Sequence, residues 1–109
     1  MAIAVIASGT QAASISTEHS LATSTTGKTY VLAVNLQNLV NGDEVEIILY
    51  SKVLSGSTKQ VVRRATFSNV PSEPNVYSEP IPANQYIEAA LKQTAGTGRN
   101  FEWALLSLD

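Results

Sequence analysis

Three consecutive side chains, Glu18-His19-Ser20, supply an acid, a base and a hydroxyl. Those are the parts of a hydrolytic triad, but a triad works through geometry across a fold, not through adjacency. Neighbouring side chains on a strand point to opposite faces, so His19 cannot easily serve both neighbours. The chain also has no Gly-x-Ser-x-Gly nucleophile elbow. His19 therefore reads as a polar surface or interface histidine. Asp43, Glu44 and Glu46 offer three carboxylates. A hard cation needs several oxygens converging from one loop. Here Glu44 and Glu46 point the same way along a strand and Asp43 falls in a turn. A solvated, charged face is expected instead.

Lys52, Lys59, Arg63 and Arg64 follow with no acid between Lys52 and Arg64. Around a hairpin they would form a local positive patch, able to bind phosphate or dock an acidic surface. No aromatic residue lies in that stretch to stack on bases. Protein contact or plain solubility is the expectation, and nucleic acid is not. Gly96-Thr97-Gly98-Arg99 lacks the Gly-Lys-Ser/Thr ending of a phosphate loop. It reads as a flexible hairpin turn. Trp103 reads as core.

Composition narrows the chemistry further. The chain has 109 residues, enough for one domain. With no cysteine it has no disulfide, no thiolate zinc site and no cysteine nucleophile. With one histidine it has no multi-histidine metal site. Charged residues are 15%, against about 25% for an ordinary soluble domain, and the formal net charge is -2. No metal, cofactor or nucleic-acid partner is expected. The opening MAIAVIASG has no basic residue, and its apolar run is far shorter than the ~20 residues a membrane span requires. Neither a signal peptide nor a membrane partner is expected. Residues 1–9 are expected to form a strand, or an arm packing on a neighbour through Ile3, Val5 and Ile6. A single domain then spans residues 10–109.

The elements that would position these groups read as strands. Ala13, Ile15, Thr17, His19 and Leu21 alternate at period two, as do Tyr30 to Leu36 and Val45 to Tyr50. Asn41-Gly42 between the last two runs predicts a hairpin. A second hairpin turns at Leu54 to Ser57 and returns along Lys59 to Phe67. All four prolines, Pro71, Pro74, Pro80 and Pro82, lie in one stretch that must be loop or edge. A third hairpin joins Tyr86 to Thr94 with Phe101 to Leu108, with Phe101, Trp103 and Leu105 on one face. Ala83, Tyr86, Ile87, Ala90 and Leu91 also fit a helical face, with Glu88 and Lys92 as an i,i+4 pair. Strand is preferred there, with Ile87, Ala89, Leu91 and Gln93 inward. Seven or eight strands at short spacing predict an all-β antiparallel sandwich or barrel.

As a set, these residues resemble a known group. Tyr30-Val31-Leu32-Ala33-Val34-Asn35-Leu36, Gly42-Asp43-Glu44-Val45-Glu46-Ile47, Tyr50-Ser51-Lys52-Val53-Leu54-Ser55-Gly56 and the ending Leu91 to Trp103 resemble small tailed-phage capsid decoration, or cement, proteins. The resemblance covers roughly residues 25–106. It implies a jelly-roll β-sandwich and a place on the outer capsid surface of a virion. It implies the phage major capsid protein as partner and assembly as a dimer or trimer. It carries no catalytic residues, so no enzyme is expected. Low charge suits surfaces that become covered. Candidate contacts are Ile3, Val5 and Ile6 on the arm, which would add a strand to a neighbour's edge. Ile48 and Tyr50, opposite Val45 and Ile47, would form an exposed patch. The basic group Lys52, Lys59, Arg63 and Arg64 joins them. So does the proline loop at Pro71 and Pro74, long enough to reach a neighbour. The alternative function is a carbohydrate-binding module, with Tyr77 and Tyr86 as the aromatics left to stack on sugars.

Overall fold

Period-two burial organises the chain. In β3 (Lys28–Asn35) Tyr30, Leu32 and Val34 are buried while their neighbours are only half-covered. In β8 (Ile87–Ala95) the inward row Ile87, Ala89, Leu91 and Gln93 has no exposed surface, and Glu88 and Ala90 on the other side are buried as well. This stretch is strand, not helix. Its helical face would have left Ala89 and Gln93 outside the apolar stripe, whereas two sheet neighbours cover it as a strand. The computed structural model describes residues 2–108. Besides β3 and β8 it contains β1 (Ile3–Ala12), β2 (Glu18–Ser24), β4 (Glu44–Ser51), β5 (Gln60–Ser68), β6 (Asn75–Tyr77), β7 (Ile81–Ala83) and β9 (Asn100–Leu108).

The strands form two sheets. Sheet A has the order β1-β9-β3-β6, with β7 also on β3, and sheet B has the order β2-β8-β4-β5. Every pairing is antiparallel. β6 and β7 lie end to end on the same side of β3, so they act as one strand broken before Pro80 and Ile81. Proline has no N–H for the ladder, which is why the break falls there. With that strand counted once, the chain crosses between sheets at every connection except β4–β5. This is a jelly-roll sandwich. The nine segments exceed the expected seven or eight because of that proline break.

Two expected hairpins are absent. β3 and β4 lie in different sheets, as do β8 and β9; only β4 and β5 form the hairpin expected. The reason is burial. Crossing places the Tyr30–Leu32–Val34 row of sheet A against the Val45–Ile47–Leu49 row of sheet B, and both rows join one core. A flat hairpin would have set the two rows side by side with nothing to cover them. The expected strand through Ala13 and Ile15 is also absent. The chain turns there, with Ser16 at φ 66°, and β2 starts only at Glu18. β1 runs through the expected boundary at residue 9 and pairs with β9 of its own chain.

Candidate functional site

The two outer faces of the sandwich differ in chemistry. Directly paired residues share a face, so the registers give the rows. On sheet B one row runs Glu18–Lys92–Glu46–Thr66, the next Ser20–Ala90–Ile48–Arg64, and the third Thr23–Glu88–Tyr50–Val61. On sheet A the rows are Ile3–Leu108–Thr29–Pro82, Val5–Leu106–Val31 and Ser8–Ala104–Ala33–Tyr77, with Thr10–Glu102–Asn35–Asn75 at the far end. The strands of sheet A carry two charged residues, Lys28 and Glu102, against seven in sheet B. Ile3 is 67% exposed, Val5 62% and Tyr77 66%. Sheet A thus presents an uncharged apolar face, flanked at one end by the Asn35–Glu102 hydrogen bond of 3.0 Å.

Sheet B is covered by its own polar side chains. The Tyr50 hydroxyl donates to Glu18 Oε2 at 2.8 Å. The row of Ser20, Ala90 and Ile48 lies between the row of Tyr50 and that of Glu18. Arg64 reaches Glu46 at 3.1 Å along the same surface. Ile48 is therefore 1% exposed, and the apolar patch expected at Ile48 and Tyr50 does not form. Alternation placed Ile48 correctly on the outer face but could not register the long side chains folded over it.

The expected positive patch is neutralised in the same way. Lys59 Nζ lies 2.8 Å from Glu88 and 4.6 Å from the Tyr50 ring centroid. Lys52 sits 4.8 Å over Tyr86, and Arg63 pairs with Glu79 at 3.0 Å. No acid lies between Lys52 and Arg64 in sequence, yet β4, β8 and the proline loop bring three beside them. The Arg63–Glu79 pair lies at a cleft of about 130 Å³ between β5 and β6, lined by Leu32, Val34, Ile47 and Leu49. Pro71 and Pro74 are half-buried, because Leu36 N–H donates to Pro74 O and the loop lies along its own β3. Ile6 packs partly against the core, leaving Ile3 and Val5 as the exposed large apolar residues of β1.

Glu88 joins Lys59 to the Tyr86 hydroxyl, which donates to its Oε1 at 2.7 Å. Burial raises the Glu88 carboxyl, but hydrogen bonds from Lys59, Tyr86 and Ser20 outweigh it and hold the group below its ordinary value. Burial, with Glu88 beside it, pushes the Tyr86 hydroxyl up to about 12. A tyrosine raised in the folded state supports stability fully below its unfolded value of about 10 and loses that support as pH climbs through the folded value. Tyr86→Phe is expected to flatten the fall in stability between pH 10 and 12. Urea titrations across that range, with tyrosinate absorbance as a second reading, will test it. An unchanged alkaline slope in the variant would refute the assignment.

At one end of the sandwich lies a buried polar cluster that the sequence did not suggest. Asp43 was expected in solvent, but it is 2% exposed. Its Oδ2 accepts from Arg99 Nε at 2.7 Å and from Val40 N–H at 3.1 Å, and its Oδ1 from Thr97 N–H at 3.3 Å. The Arg99 bond in particular holds the carboxyl below its ordinary value against the opposing effect of burial. Gln93, fully buried, donates to Ala95 O and Thr97 O and accepts from Arg99 N–H. The Gly96–Arg99 segment is thus a clamped arch between sheets, not a loose hairpin turn.

His19 is half-buried, and its Nε2 accepts from Ser14 N–H at 3.1 Å. Among the described residues, no group of three or more His, Asp or Glu converges as a metal site. Compared with known proteins, the chain matches no family model, no curated protein and no solved structure. The residues missed by sequence reading are Val31, Leu106 and Leu108 on the outer face of sheet A. A signal existed: β3 and β9 are apolar on both alternating faces, which marks a strand with both sides covered.

Proposed function

We propose that this chain is a structural protein of a tailed-phage particle, a decoration protein that binds the outside of the capsid shell and stabilises it. One observation supports the reading above the others. Sheet B closes its outer face with its own ion pairs, while sheet A leaves an uncharged apolar face open. Depletion of charge with exposed aliphatic and tyrosine side chains is what the centre of a protein contact needs. The shell is the occupant this reading assigns to that face, with Val31, Leu106 and Leu108 near its centre and Tyr77 at its rim.

Two measurements test it. Mass spectrometry of purified phage particles should find this chain in fixed ratio to the major capsid protein. Shells stripped of the chain should rebind it, and Leu106→Glu should weaken that binding tenfold or more, since a buried carboxylate at a contact centre is unpaired. Lys92→Glu on sheet B should leave it unchanged. Particles without the chain, or equal binding by both variants, would overturn the reading. The carbohydrate alternative gains nothing: Tyr86 is held under Lys52 and against Glu88, leaving Tyr77 as a lone exposed ring.

A further inference from the structure

Of the asparagines in the chain, Asn41 alone is followed by glycine. An asparagine side chain can close on the next main-chain nitrogen, which is one reason the residue is thermolabile. A following side chain obstructs that approach, and glycine has none. Asn41 and Gly42 are both exposed, and no atom lies within 4 Å of the place a Gly42 Cβ would take. Water and base reach the pair freely.

The reaction needs no partner but water. Base removes the Gly42 amide proton, and the nitrogen attacks Asn41 Cγ. A Cγ–N bond to Gly42 forms, the bond to the side-chain nitrogen breaks, and that nitrogen takes up a proton and leaves as ammonia. Water then opens the cyclic imide. Attack at Cγ gives aspartate. Attack at the Asn41 main-chain carbonyl gives isoaspartate, in which the chain runs through Cβ and Cγ and is one atom longer.

The fold holds this reaction back in three ways. Asp43 N–H donates to Val40 O at 3.0 Å, closing a turn around Asn41 and Gly42. Gly42 has φ 99° and Asn41 is not among the positive-φ residues, so the turn is type II. Such a turn sets the Asn41 ψ to about 120°, which rotates the Gly42 nitrogen away from the Asn41 Cβ. Next, Gly42 N–H donates to Asn69 Oδ1 at 3.0 Å, which ties up the nucleophile. Finally, Asn41 Oδ1 accepts from Val70 N–H at 3.3 Å, which fixes the electrophile. Asn69 N–H also donates to Asp43 O at 3.0 Å, so one short segment braces the whole turn. Asn69 sits at φ 65°, a conformation asparagine tolerates.

We propose that Asn41 is a site of deamidation and isomerisation, and that Asn69 is the catch that sets its rate. The consequence reaches the interior. Asp43, two residues on, holds Val40 N–H and Arg99. An extra main-chain atom between Val40 and Asp43 takes the turn bond out of register and loosens the Asp43 clamp on Arg99. A slow surface reaction thereby becomes an irreversible loss of stability. The site is independent of shell binding, since it lies at the end of the sandwich and not on the outer face of sheet A.

Timed incubation of the full chain at one mildly alkaline pH tests the proposal. Fragment-ion mass spectrometry locates the new acid, and methylation by an isoaspartyl methyltransferase counts the isomer. Folded wild type should react at Asn41 about tenfold or more slowly than the chain unfolded in urea. Asn69→Gly keeps the left-handed backbone and deletes the amide. Losing that hydrogen bond should speed the folded-state reaction on the order of tenfold. Ile87→Val, a core change at the opposite end of β8, controls for global opening and should have a much smaller effect. The isoaspartyl form should unfold at lower urea than Asn41→Asp, which carries the same charge on an ordinary main chain. Folded wild type reacting as fast as the unfolded chain overturns the proposal. So does an Asn69→Gly rate equal to wild type, or one matched by Ile87→Val. An isoaspartyl form as stable as Asn41→Asp overturns the coupling to Asp43.

Discussion

Asp43→Ala should destabilise the fold by about 2–4 kcal/mol near neutral pH, and the loss should shrink on acidification. The carboxylate is shielded from water and holds Arg99 together with the Val40 and Thr97 N–H groups. Removing it leaves a guanidinium and two N–H donors without their acceptor. Arg99 is 30% exposed, so water recovers part of the loss, and the estimate stays below that for a fully buried pair. The pH dependence has a definite sign. Asp43 is held below its ordinary value, so its contribution is complete above the unfolded value of about 4. It is lost as pH falls through the lower, folded value. Urea unfolding of wild type and variant should differ most at pH 6–7 and converge towards pH 2. A constant gap across that range would mean that the lost stability comes from packing and not from the charge.

Much of this fold was legible because burial follows period two. β4, β5 and β9 appear near their expected positions, and the helical pattern around Ala83 to Leu91 gave way to strand once two sheet neighbours covered it. What failed was pairing. Asn41-Gly42 is a strong turn signal, and Gly42 does adopt φ 99°. But a turn fixes only a local change of direction. Whether the chain returns to the same sheet or arches to the other depends on where the next apolar row finds cover, which is non-local. The surface failed for the same reason. The acids that neutralise Lys59, Arg63 and Arg64 come from residues 88, 79 and 46. Ile48 is 1% exposed on a face where Tyr50 bonds a carboxylate two strands away. Asp43 looked solvated because its partner is 56 positions along the chain. The apolar outer face of sheet A could have been read from the two-sided strands β3 and β9. It was missed because only one row of β9, Phe101, Trp103 and Leu105, was assigned to a face and the opposite row was left unassigned.

Gly96→Ala should be strongly destabilising. Gly96 has φ 90°, a backbone conformation that costs an L-residue about 1–2 kcal/mol. The added methyl would also overlap the Asp43 carboxylate and press on the Asp43 backbone. Asp43 would have to withdraw, so this one substitution adds backbone strain to the loss of the Arg99 clamp. Together these reach about 4 kcal/mol or more, a large share of the 5–15 kcal/mol that stabilises an ordinary domain. Gly42 is the internal control. It has the same left-handed backbone but open space where a methyl would go, so Gly42→Ala should show the strain alone. Additivity separates the two contributions. If the clash acts through the carboxylate, Gly96→Ala should be markedly milder in an Asp43→Ala background than in the wild type. The residue of its effect would then be strain plus the backbone contact. Equal effects in both backgrounds would show that the glycine is required for its backbone alone, and that the arch between the sheets does not depend on the fit of Asp43 against it.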